Sequence, residues 1–132
     1  MILFFGALFG LISVVSGAFA AHALKGTVSD ALFDSVAIAI TYNQVNAVIV
    51  CAVGLAIRNS DKWAKLWMLN WSAYLFLFGT AMFSFSIYLS AIFNAPDLLK
   101  VTPIGGLAIM AAWTLLSYCG ILAARNSLEQ HN

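Results

Sequence analysis

Charge is what this sequence has least of. Of its 132 residues 8% are Asp, Glu, Lys or Arg, against roughly 25% in soluble domains, and no stretch is polar enough to form a water-soluble module. The six Lys and Arg are dispersed over several connections and the net charge is +1, so no basic stripe exists to track nucleic-acid phosphates. The long apolar runs contain no acidic residue, whereas proton or cation pumping normally needs a buried carboxylate or a paired charge. HExxH, CxxC and Gly-x-Ser-x-Gly signatures and a phosphate loop are also missing, which removes the usual parts of hydrolytic, redox-metal and phosphoryl chemistry. The expectation is a non-enzyme with no cofactor and no metal. Cysteine is scarce too: Cys51 and Cys119 lie at similar depths inside apolar runs, a setting that suppresses the thiolate. Both read as packing residues rather than a disulfide.

What is abundant is hydrocarbon. Apolar residues make up 63% of the chain, gathered into four runs at about 2–24, 36–57, 66–93 and 103–124. Each reaches the ~20 helical residues that cross a bilayer core. The chain therefore reads as an all-α membrane protein: one four-helix transmembrane domain over 1–132, its spans forming an up-down-up-down antiparallel bundle because the connections are short. Ala18-Phe19-Ala20 resembles a cleavage site. However, the first run lacks a positive n-region and exceeds a signal h-region, so it reads as a mature span.

Lys25 and Lys100 fall on one side of such a bundle, and Arg58, Lys62, Lys65 and Arg125 on the other. That asymmetry predicts both termini in the cytoplasm and a protein integral to the inner membrane. Trp63, Trp67 and Trp71 cluster where interfacial anchors belong.

The polar residues inside the runs are the informative ones. Gly6, Gly10, Ser13, Gly17 and Ala21 fall within one arc at 100° per residue, a small-residue stripe suited to close helix packing or to an oligomer face. The second run carries Tyr42, Asn43 and Asn46 on one side and Gln44 nearly opposite. A buried amide without partners costs roughly 2 to 7 kcal/mol, so these groups should face the bundle, a wet cavity or another subunit. Gln44 is the best hint of an oligomer contact.

Asn70, Ala73, Leu77, Thr80, Ser84 and Tyr88 form a seam on the third run; Thr102, Gly106, Met110, Trp113, Ser117 and Gly120 form one on the fourth. Antiparallel placement gathers His22, Tyr42, Asn43, Ser84, Tyr88, Thr102, Gly105 and Gly106 toward the outer end, with Asn46 near the midplane, as a candidate polar pocket. Thr102 reads as an N-cap before Pro103. The amides after it, beside two glycines, could meet an anionic or carbonyl group, although close packing is the preferred reading. His22 reads as an interfacial histidine, and His131, in the polar tail, is assigned no role.

These same segments, GAFAAHAL at 17–24, TYNQVNAV at 41–48, GTAMFSFSIYLSA at 79–91 and VTPIGGLAIMAAW at 101–113, resemble the family called domain of unknown function 423, uncharacterised protein family 0382. The resemblance covers essentially the whole chain and implies a four-helix inner-membrane protein without an assigned activity. Relatives tend to carry histidine where this chain has Asn46, and glycines in place of Ala20, Phe85 and Ala112, so a two-histidine role would not carry over.

Three functions remain: a structural polar cluster, a pocket for a small neutral or weakly polar molecule contacted by Tyr42, Asn43, Asn46 and Tyr88, and an accessory subunit of a larger membrane assembly. Lipid is the expected surrounding. A second copy or another membrane protein is the candidate partner.

Overall fold

The computed structural model describes the backbone of residues 1–59 and 67–129, and side chains within those ranges as far as Arg125. Trp63, Lys62, Lys65 and His131 lie outside the described residues. Every regular element described is a helix. Four are long and apolar enough to cross a membrane: Ile2–Leu24, Asp30–Asn59, Trp67–Phe93 and Pro96–Arg125, here called the first to fourth spans.

The second span begins six residues earlier than its hydrophobicity indicates. Ser29 Oγ accepts the Leu32 amide at 3.3 Å, and Asp30 places a carboxylate at the positive helix end, two N-terminal signals that act before the apolar run starts. The first span ends as a π-turn, Ala20–Leu24. Beyond it Gly26 turns the chain at φ 80°, the Thr27 amide returns to Leu24 O at 2.9 Å, and Thr27 Oγ1 donates to the carbonyls of Ala23 and Leu24 at 3.0 and 2.9 Å, which serves acceptors left over at the helix terminus. The third span stops at Asn94, a residue type that tolerates the left-handed region; its φ of 51° turns the next amide, Ala95 N, onto Ser90 O at 3.1 Å.

Contacts pair rising numbers with falling ones. Leu3 meets Gly54, Gly6 meets Cys51, Gly10 meets Ala47 and Gly17 meets Ile40, so the first two spans run in opposite directions. Asn46 meets Thr80 and Ala39 meets Ser84 between the second and third; Phe76 meets Trp113 and Ser86 meets Thr102 between the third and fourth. Cys51 turns toward the first span, and Cys119, on the fourth, is buried in the cluster it shares with the second and third; both are free thiols.

The bundle is open rather than closed. The first span packs on the second and touches the third, the fourth packs along the third, and no substantial contact joins first and fourth among the described residues. Half of the third span's apolar window is buried, but only 17% of the windows of the first and fourth. The two central spans form the core and the outer two are edges.

Candidate functional site

Between two apolar clusters runs a polar band. Val50, Val53, Ala73, Phe76, Ile109 and Ala112 belong to one cluster, and Ala20, Leu24, Val36, Ala39, Ile87 and Ala91 to the other. Asn43, Asn46, Thr80 and Ser84 occupy the interval between them on the second and third spans, all buried. Asn46 Nδ2 donates to Thr80 Oγ1 at 2.9 Å, Ser84 Oγ donates to the Ala39 carbonyl at 2.9 Å, and Asn43 Nδ2 reaches the Tyr88 hydroxyl at 3.4 Å. Each bond crosses from one span to the other, which ties their register.

The third span keeps its three partners aligned through an irregularity. In an α-helix a residue four positions on has turned about 40° past its predecessor. The wider π-turn at Ala81–Phe85 takes that drift back between Thr80 and Ser84, so Thr80, Ser84 and Tyr88 hold one face. The same turn meets the fourth span, where a Cβ on Gly105 would run into the amide nitrogen of Phe83 and come within 2.7 Å of the Gly79 carbonyl. On the far side of the turn Ser86 Oγ and Thr102 Oγ1 share a hydrogen bond of 2.8 Å.

Several sequence expectations need correction. Tyr42 is 47% exposed and stacks obliquely on Phe83 with ring centroids 5.1 Å apart, because it precedes Asn43 by 100° of rotation and passes the edge of the seam. His22 is exposed in the π-turn that ends the first span, and Ala21 is exposed there too, since the wider turn rotates Ala20 inward in its place. Thr102 bonds across to Ser86 instead of capping its helix, and its amide already bonds Leu99 O in a preceding 3-10 turn, Pro96–Val101. Gly105 is packed against backbone and leaves no room for an anion; Gly106 lies near the Phe83 ring.

The fourth span is turned by about one residue from its expected seam. Gly105, Ile109, Ala112 and Cys119 face inward, while Met110, Trp113 and Gly120 are exposed. The closest backbone approach, at Gly79 and Gly105, decides this orientation. Trp67 and Trp71 are exposed at the start of the third span.

The polar set thus divides. Asn43, Asn46, Ser84 and Tyr88 come together with Thr80; Thr102, Gly105 and Gly106 line a separate junction; Tyr42 and His22 leave. The band lies near the middle of its spans rather than at one end. Thr80 and Ser86 were not singled out as partners, although the four-residue spacing of Thr80, Ser84 and Tyr88 was the signal for the first.

Within the seam one atom is unmatched: Asn43 Oδ1 is buried without a hydrogen-bond partner. A cleft of about 240 Å³ is lined by Val15, Ser16, Phe19, Leu24, Val36, Tyr88 and Ile92, so Tyr88, the partner of the Asn43 nitrogen, is the one candidate contact that reaches it. Gly6, Gly10, Ser13 and Gly17 face the second span. Ser13 is fully buried and donates to the Gly10 carbonyl at 2.7 Å. Outside that junction lies a groove of about 500 Å³ that includes Gly6, Gly10, Ser13, Ala47 and Cys51, with Gln44, exposed, at its margin. Among the described residues no three His, Cys, Asp or Glu side chains gather where they could hold a metal ion.

Residues 16–106 match the family model described as protein of unknown function, DUF423. The chain belongs to this family. A UPF0382 membrane protein of Staphylococcus haemolyticus is 32% identical over 84% of this chain and 87% of its own length, and one of Haemophilus influenzae is 32% identical over 85% and 86%. The UPF0382 inner membrane protein YgdD of Escherichia coli K12 is 29% identical over 96% of this chain and 94% of its own. No solved structure matches the chain. Four apolar helices and these relatives together make it an integral inner-membrane protein of an uncharacterised family.

Proposed function

We propose that this is a non-enzymatic membrane subunit: the seam between its central spans clasps the fold, and the protein acts by packing its open edges against other protein in the bilayer, with both termini cytoplasmic. The observation that carries the reading is Gln44. It sits halfway along the second span, exposed, and makes no hydrogen bond among the described residues, although Asn43 and Asn46 beside it are buried. Hydrocarbon offers such an amide no partner, and polar side chains inside membranes serve as interhelical glue. The sparse cover over the first and fourth spans points the same way.

The test is extraction into native lipid nanodiscs, without detergent, followed by mass measurement. Association with itself or another membrane protein supports the reading, and a lone chain with Gln44 in lipid removes it. Reactivity of introduced cysteines at residues 59 and 97 toward an impermeant reagent on intact cells tests orientation: position 97 should react and position 59, on the side of the termini, should not.

A second reading is favoured by the unmatched Asn43 Oδ1 and by the Ser16 and Tyr88 hydroxyl groups in the 240 Å³ cleft. That cleft would take an apolar molecule bearing a hydroxyl or carbonyl group. Native mass spectrometry should then show an adduct that Tyr88→Phe loses.

A further inference from the structure

The chemistry around Gln44 narrows the kind of partner. Its helix runs Asp30–Asn59, which places Gln44 at the bilayer centre, about 15 Å from either headgroup region, beyond the reach of a glutamine side chain. The groove at whose margin it stands contains no charged residue; its floor is Gly6, Gly10 and Ser13, and Val14 and Val48 on its sides are 63% and 69% exposed. A charged or ion-binding partner would find no counter-charge here. A carboxamide, by contrast, carries both a donor and an acceptor, so two glutamines can satisfy each other reciprocally. A two-fold axis supplies that pairing, because it brings the same patch of both subunits face to face. Gly6 and Ser13 at the bottom of the groove are covered by the chain itself, whereas Gly10 keeps partial exposure and leaves room for the branched side chains beside Gln44 on the facing copy.

We propose that the first and second spans carry a self-association face, in which Gln44 pairs with Gln44 of a second copy over the groove floored by Gly6, Gly10 and Ser13. The proposal rests on the association reading above and names its partner as another copy of this chain. Packing and hydrogen bonding drive such contacts in lipid, where apolar burial gives little preference.

The test places single cysteines in a Cys51→Ala, Cys119→Ala background and oxidises them in native membranes. Val48→Cys, at the groove, should give a species of twice the chain mass, and Leu107→Cys, exposed on the fourth span, only background. Gln44→Leu should lower the Val48→Cys dimer about tenfold, the fold-change of one to two interhelical hydrogen bonds, while Gln44→Asn retains part of it. Gly10→Ala should lower it as well, since its Cβ would meet, among the described residues, only Ala47 Cβ at 3.8 Å, leaving the helix pair intact but raising the floor.

Equal yields at Val48→Cys and Leu107→Cys, or a dimer indifferent to Gln44→Leu, overturn the proposal. A Val48→Cys product with a protein of different mass overturns self-pairing yet keeps the association reading. A chain that forms no product at either position and is monomeric in nanodiscs ends both.

Discussion

Asn43 and Asn46 on one side of the second span and Gln44 on the other carry the same functional group within four residues. Their surroundings differ completely. The asparagines are buried against the third span and bonded to Tyr88 and Thr80, and Gln44 stands at an open groove without a partner among the described residues. An amide inside hydrocarbon is costly wherever it lies, so the contrast separates amides that bond across to the third span, Asn43 through its nitrogen alone, from one that finds no bond among the described residues. It also separates two ways of bringing helices together: hydrogen bonds at the inner face, and glycine against backbone at the outer.

The strongest way to break the inner face is from behind. Gly105 presses on the π-turn that aligns Thr80, Ser84 and Tyr88, and a Cβ there meets backbone atoms of Phe83, Met82 and Gly79, which cannot rotate away. Gly105→Ala should therefore cost about 3 kcal/mol, the upper end of overpacking penalties. Thermal unfolding in mild detergent measures it. Reactivity of the buried Cys119 thiol, in a Cys51→Ala background, should rise in parallel because the fourth span loosens.

At the outer face two glycines of one stripe should part company. A Cβ on Gly6 would lie 2.8 Å from Cys51 Sγ and 2.9 Å from Cys51 N, so Gly6→Ala should destabilise by about 1–2 kcal/mol, overpacking being partly offset by helix propensity. Gly10→Ala, with 3.8 Å to its nearest neighbour, should be neutral or more stable by up to about 1 kcal/mol. Identical responses in detergent unfolding would mean that the stripe acts as a uniform surface rather than as one tight contact and one open floor.

Asn46→Leu comes next in size. It removes the 2.9 Å bond to Thr80 and leaves a buried hydroxyl, which should cost about 1 kcal/mol, less than in a core that cannot re-bond a threonine to its own helix. In a cycle with Thr80→Val the coupling should be about 0.6 kcal/mol, the average for interhelical bonds in membranes. A coupling near zero would leave the seam a packing surface, and a value several times larger would make it a cooperative network.

How far these features were legible follows from what each depends on. Four spans could be read because membrane length and apolar composition are local properties, and the grouping of Asn43 and Tyr88 in one candidate cluster followed from helical spacing and antiparallel placement. The inward turn of Ala20 in place of Ala21 could not be read, because π-turns break the 100° spacing on which stripes are drawn, and nothing in AAHAL announces one. The fourth span's orientation was hidden for a related reason. Gly105 and Gly106 are adjacent and chemically identical, and only the proximity of Gly79 on another helix chooses between them. Asp30 and Ser29 did carry a start signal, but the hydropathy of 36–57 outweighed it.

The smallest expected effect is the sharpest for the comparison. Asn43 donates to Tyr88 at a long 3.4 Å while its oxygen has no partner, so within the monomer it gains little from the seam that encloses it. Replacing both ends of a polar pair by apolar groups can be nearly neutral, whereas removing one strands the other. Asn43→Leu alone should cost under about 1 kcal/mol, because the Tyr88 hydroxyl can turn to the cleft shared with Ser16, and Asn43→Leu with Tyr88→Phe should return to within about 0.5 kcal/mol of the parent in detergent unfolding. A double variant that instead loses 2 kcal/mol or more, roughly the value of a satisfied buried amide, would show that the Asn43 oxygen has a partner in the membrane, a water or a bound carbonyl or hydroxyl group. Asn43 would then belong with Gln44 among the amides completed from outside the chain.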